Sequence, residues 1–240
     1  MPRRASLAIA VAALVLALVG IAIVTIDDSA EELAETGPEP AGPPLAAPAA
    51  PAAGEIPDRP RPGWQLITNP AAVIGYQVPP DWQVADPEES LLSSNGVQLG
   101  HLADWGAYAC QGAEYGRAFV ASGLAGTNSL DGTANALAAS VAADQYSDGA
   151  QTASVRLTAP TPVTASGAQG VLVRATAAST AGANQCTASE GTITVLVLPS
   201  RAGNAVLVIG ADTVPGTEQP SQLARDDDVD RIAATLELLG

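Results

Sequence analysis

The sequence predicts an α+β domain, a mainly antiparallel sheet with helices packed against it, set behind one transmembrane helix and a Pro/Ala-rich tether. Three observations lead there. An uncharged apolar run occupies Ala5 to Ile26. A proline-dense stretch follows it. Beyond Gly63 short β-branched runs alternate with two segments of helical period.

The apolar run is 22 residues long. As a helix it would span roughly 33 Å, enough to cross a bilayer core. Arg3 and Arg4 precede it, and Asp27, Asp28, Glu31 and Glu32 follow. The positive-inside rule then puts residues 1–4 in the cytoplasm and everything after Ile26 outside. A cleaved signal peptide is the alternative. It fits less well, because its apolar region is normally shorter and the small-residue site Gly20-Ile21-Ala22 lies inside the run.

Residues 27–62 read as a disordered linker, acidic first and then rich in Pro and Ala. Nine of the 19 prolines fall between Pro38 and Pro62. Such a segment buries too little apolar surface to offset its ordering entropy. Extended, it would reach on the order of 110 Å, so it reads as a spacer. Pro48 with Pro51 and Pro57 with Pro60 have PxxP spacing, but alanine flanks give a recognition module little to read.

The remaining residues, 63–240, make one extracytoplasmic domain. Trp64–Ile67 and Val73–Val78 read as strands, the second stopped by Pro79-Pro80. Asp81–Val84 reads as a turn and short strand. Asn95-Gly96 signals a turn before a strand at Val97–Leu99. Leu130, Ala134, Leu137, Val141 and Gln145 recur at helical spacing, with Ser129 or Asp131 to cap a helix ending at Tyr146. Strands follow at Thr152–Thr158, Gly170–Thr176, Thr187–Leu198 and Ala205–Ala211. The run Thr192–Leu198 is apolar enough for a central strand covered on both faces. Asp226, Asp227 and Asp228 precede a last helix, Val229–Leu239, where negative charge suits a helix N-terminus.

Two cysteines, Cys110 and Cys186, stand 76 residues apart. Outside the cytoplasm such a pair is expected to form a structural disulfide, with a loop-closure stabilisation of about 4 kcal/mol. A redox role would call for CxxC or a nearby basic group.

Composition excludes more than it selects. The net charge is −15, and all ten basic residues are Arg. An acidic surface repels phosphate backbones, so nucleic acid is not an expected partner. No P-loop, dinucleotide fingerprint or GxSxG is present, and no catalytic residue, cofactor or metal ligand stands out. His101 is the single histidine; a triad would need it with Asp104 or Glu114. An unrecognised carboxylate pair stays open as a hydrolase site. Aromatics cluster early in the domain: Trp64, Tyr76 and Trp82 read as core fillers. Trp105 and Tyr108, in a Gly-rich stretch, are candidates for a ligand surface.

Several features resemble one group of proteins. They are Gly63-Trp64, the run Tyr76-Gln77-Val78-Pro79-Pro80-Asp81-Trp82, Cys110 followed by Arg117-Ala118, and Cys186 ahead of a strand. The segment Arg231–Leu238 completes the set. They resemble actinobacterial membrane-anchored extracytoplasmic domains of unknown function. The resemblance implies a Mog1/PsbP-like α/β sandwich, a sheet between helices. It implies an envelope location and no activity. The expected role is a binding or accessory module whose partner is an envelope protein or cell-wall component. A hydrolase and a small-molecule or lipid carrier are the alternatives. No residue pattern specifies the ligand or the oligomeric state.

Overall fold

The computed structural model describes residues 61–148, 151–180, 185–217, 220 and 222–239. The expected transmembrane helix at 5–26 and the tether up to residue 60 lie outside them. Among the described residues no helix is long and apolar enough to cross a membrane.

The described chain opens with strands β1 (Gln65–Asn69), β2 (Ile74–Val78), β3 (Gln83–Val84), β4 (Ser90–Leu92) and β5 (Gln98–Trp105). A short hairpin, β6 (Tyr108–Cys110) and β7 (Ala113–Tyr115), leads into β8 (Ala118–Ala125) and helix α1 (Leu130–Tyr146). Then come β9 (Ser154–Leu157), β10 (Thr161–Ala165), β11 (Ala168–Ala178), β12 (Glu190–Ser200) and β13 (Gly203–Val214). Helix α2 (Asp226–Ala233) and β14 (Glu237–Leu238) complete the order.

The main sheet runs β10-β11-β12-β13-β8-β5-β3; β9 also pairs with β11, along the same edge as β10, and β4 with β5, along the same edge as β3. Every pair is antiparallel. Each edge strand is thus broken into two pieces, and Pro162 stands in one of them. Broken, proline-bearing edges resist pairing with another chain.

Both faces of this sheet are covered. On one face α1 lays Ala134, Leu137, Ala138, Val141 and Ala142 over Val173, Ile193, Val195 and Val208. The alanine stripe lets the helix approach closely, and Leu137 carries the bulk. Ser129 caps the helix, its Oγ accepting from Gly132 N at 3.2 Å. Asn204 of β13 donates to Asn128 O and Thr133 Oγ1 and so pins the helix start to the sheet.

On the other face lies a second, three-stranded sheet, β1-β2-β14, together with α2. Ile74, Tyr76, Val78, Ile232 and Leu236 pack there against Leu196, Leu198, Leu207 and Ile209. The strand Thr192–Leu198 is therefore enclosed on both sides, as its composition requires.

This corrects the expected fold class. The domain is β-rich, with fourteen strands and two helices among the described residues. It is not an α+β sandwich with the sheet between helices, and no Mog1/PsbP-like arrangement follows. Strands that the sequence did not signal and the second sheet β1-β2-β14 make most of the difference, and the expected final helix, Val229–Leu239, contributes to it. That helix stops at Ala233, because Thr235 Oγ1 accepts from Gln77 N of β2 at 2.8 Å. The chain then pairs Glu237 with Gly75 as β14. Asp227 and Asp228 at the helix start serve local ion pairs. Asp228 receives two hydrogen bonds from Arg225, and Asp227 pairs with Arg231.

Candidate functional site

Helix α1 is shorter than the sheet it covers. Among the described residues, a cleft of about 550 Å³ lies beside its C-terminal end, lined by Gln145 and Tyr146 of the helix and by residues of β5 and β8. Its floor is made by two aromatic rings, each seated against a glycine. A Cβ on Gly191 would fall 1.7 Å from Tyr146 Oη, and one on Gly210 would fall 2.2 Å from Phe119 Cε1. Neither ring could lie there over any other residue. The β12–β13 register also shifts at Glu190/Gly191, a bulge beside the cleft.

Tyr146 Oη lies 3.1 Å from Asp212 Oδ1 and 3.3 Å from Ala211 O. Burial first, and the Asp212 charge second, push its phenol well above the usual tyrosine range. Asp212 also faces Arg117, 4.0 Å away, whose side chain is 1% exposed. The Arg117 guanidinium sits 5.3 Å from the Tyr108 ring centroid, within the range of a cation–π contact. The Arg117 stem passes under Gly106, a left-handed residue (φ 71°). A Cβ there would meet Arg117 Cγ at 2.7 Å.

The wall above is the hairpin β6–β7. Gln111 and Gly112 both have positive φ, 51° and 83°, the two-residue hairpin turn whose backbone twist suits antiparallel strands. The turn makes Tyr108 and Tyr115 cross-strand partners, stacked at 5.6 Å. The Cys110–Cys186 disulfide and a hydrogen bond from the Tyr108 hydroxyl to Cys186 O hold this flap to the segment ahead of β12. Glu89, Asp104 and Glu114 also line the cleft. Burial, then Glu89, raises the Asp104 carboxyl above its ordinary value.

The two ligand-surface candidates separate. Tyr108 walls the cleft. Trp105 turns to the opposite core cluster and donates its indole N–H to Asp81 at 3.1 Å. His101 lies in a second depression of about 370 Å³, with Ser122 and Glu88. It is left-handed (φ 51°) where the β5–β8 register shifts, and its carbonyl accepts from the Tyr76 hydroxyl. Asp104 and Glu114, its suggested triad partners, line the larger cleft instead. Among the described residues no three His, Cys, Asp or Glu are placed to hold a metal ion.

From the sequence, Arg117 stood only in the family resemblance and Tyr146 only as a helix end, while Asp212, Gly191 and Gly210 carried no site role. One signal was available: a lone aspartate, Asp212, directly after the expected strand Ala205–Ala211.

A disulfide-latched, β-rich domain with an aromatic-walled cleft is the class of protein that this fold and site define. Within it, the chain belongs to the family described as a domain of unknown function (DUF8017), which matches residues 57–240. No curated protein matches the chain.

Proposed function

We propose that this chain is a binding module of the cell envelope, anchored by residues 5–26, spaced from the membrane by the tether, and taking its ligand in the cleft at the end of α1. The cleft is the observation that carries this reading. Its size is that of a small-molecule site. Its walls combine aromatic faces with a few fixed polar groups, and the latched flap holds them in place before any ligand arrives. Preorganisation of that kind lowers the cost of binding. The charge run that orients the N-terminal segment and the oxidised cysteine pair both support an extracytoplasmic setting. Within the envelope the ligand would come from a neighbouring protein or a cell-wall component.

Hydrolysis by a carboxylate pair is a second reading, and it draws on Asp104 beside Glu89. A lipid carrier is less favoured, because carboxylates line a cleft that is open to solvent.

Hydrogen–deuterium exchange on the full chain tests the proposal. A panel of small amines, carboxylates and sugars is added in turn. Protection by at least one member is expected in 108–119, 142–148 and 187–191. Protection confined to the His101 depression, or to the β1-β2-β14 layer, would move the site elsewhere. Release of product from an ester or glycoside member would favour the hydrolase.

A further inference from the structure

We infer that the cleft selects an organic cation, an alkylammonium group, over anions and neutral sugars. The inference rests on the cleft being the binding site, and it adds the class of ligand.

The walls argue first. Tyr108, Tyr115, Phe119 and Tyr146 line the cleft. Aromatic faces are negative at the centre and attract ammonium groups, most strongly where water is excluded. The protein already uses one of these rings in that way, since Arg117 lies over Tyr108.

The charges argue second and independently. Arg117 has Asp212 as a counter-ion at 4.0 Å. Glu89, Asp104 and Glu114 then stand as surplus negative charge around the same space. Helix α1 ends there, with no basic residue in its last turn. Its terminal carbonyls therefore add the negative end of the helix dipole. An anion entering the cleft would meet three carboxylates and that helix end. A neutral sugar could stack on the rings but would gain nothing from the charge. An ammonium group gains from both.

The same chemistry could come from a free amine or from an amine carried on a peptide side chain. Calorimetric titration of the full chain in polyoxyethylene detergent separates the two. Choline and spermidine represent free amines, Nα-acetyl-lysine amide represents a peptide-borne one, and acetate, sulfate and glucose are the opposing probes. Saturable binding of an ammonium probe is expected. It should weaken about five- to tenfold in Glu114→Gln and in Tyr115→Leu. Glu114 is exposed, so its variant should fold whatever becomes of Tyr115. Tighter binding of choline or spermidine would point to a free amine, and tighter binding of the lysine amide to a peptide. Acetate, sulfate or glucose binding in the cleft while every ammonium probe fails would overturn the cation assignment and leave the binding-site reading standing. Ammonium affinity unchanged in both variants would also overturn it. If no probe binds and no panel member protects the cleft from exchange, both readings fall together.

Discussion

Replacing Cys110 and Cys186 together by serine should lower the unfolding free energy by about 4 kcal/mol. The bond closes a loop of sequence separation 76, and long loops lose the most entropy when closed in the unfolded chain. Domains of this size are commonly stable by about 5–15 kcal/mol, so the loss takes a large share. The effect should also be felt locally. The β6–β7 hairpin is a two-stranded sheet separate from the main one, and such hairpins are marginal alone in water. Without the bond, the Tyr108 hydroxyl to Cys186 carbonyl contact remains as a latch. Urea unfolding of the wild-type chain and the double variant gives the answer. An unchanged midpoint would mean that the bond contributes nothing to the fold.

The second large effect is expected from one methyl group. Glycine within a strand ordinarily gains stability on replacement by alanine, by about 0.5–1 kcal/mol. Gly191→Ala should instead destabilise by about 3 kcal/mol, the cost of ejecting a buried aromatic ring. The new Cβ would lie 1.7 Å from Tyr146 Oη and 2.1 Å from its Cζ. The strand cannot retreat, since Gly191 is held between Ala177 and Asp212 of its two neighbours. Tyr146 must leave, and its hydrogen bond to Asp212 goes with it. The origin of the loss can be isolated. In a Tyr146→Ala background the ring is already gone, so Gly191→Ala should then cost almost nothing. Strong non-additivity of that sort marks direct contact. A Gly191→Ala variant as stable as wild type would remove the seat from under the cleft floor.

Much of the fold was legible where the local signal was strong. Helix α1 has the bounds that its repeat and Ser129 imply. The long strands β11, β12 and β13 follow from β-branched runs. Strand β8 was not legible, although it lies inside the sheet between β13 and β5. Its Ala118, Ala121, Ser122 and Gly123 carry little strand propensity, and no strand was expected there. Pairing with β13 and β5 makes them a strand, and Gly123 is required in it because a Cβ there would come within 2.4 Å of Gln98 O, an approach visible only in three dimensions. The last helix failed for a related reason: pairing with β2 overrode the helical pattern of Val229, Ile232, Ala233 and Leu236. Of the site, Tyr108 could be singled out from the aromatic cluster. Tyr146 read only as the end of a helix, and Asp212 fell just beyond the expected strand Ala205–Ala211. What joins them is the packing of α1 against β12 and β13.

The most direct test of this account is a nuclear Overhauser measurement on the oxidised protein, between the ring protons of Tyr146 and the α-protons of Gly191. Strong cross-peaks are predicted, together with contacts between the Tyr108 and Tyr115 rings above them. If the Tyr146 ring shows no cross-peak to Gly191 and correlates with other residues instead, the floor of the cleft is built differently and the binding site proposed on it is contradicted.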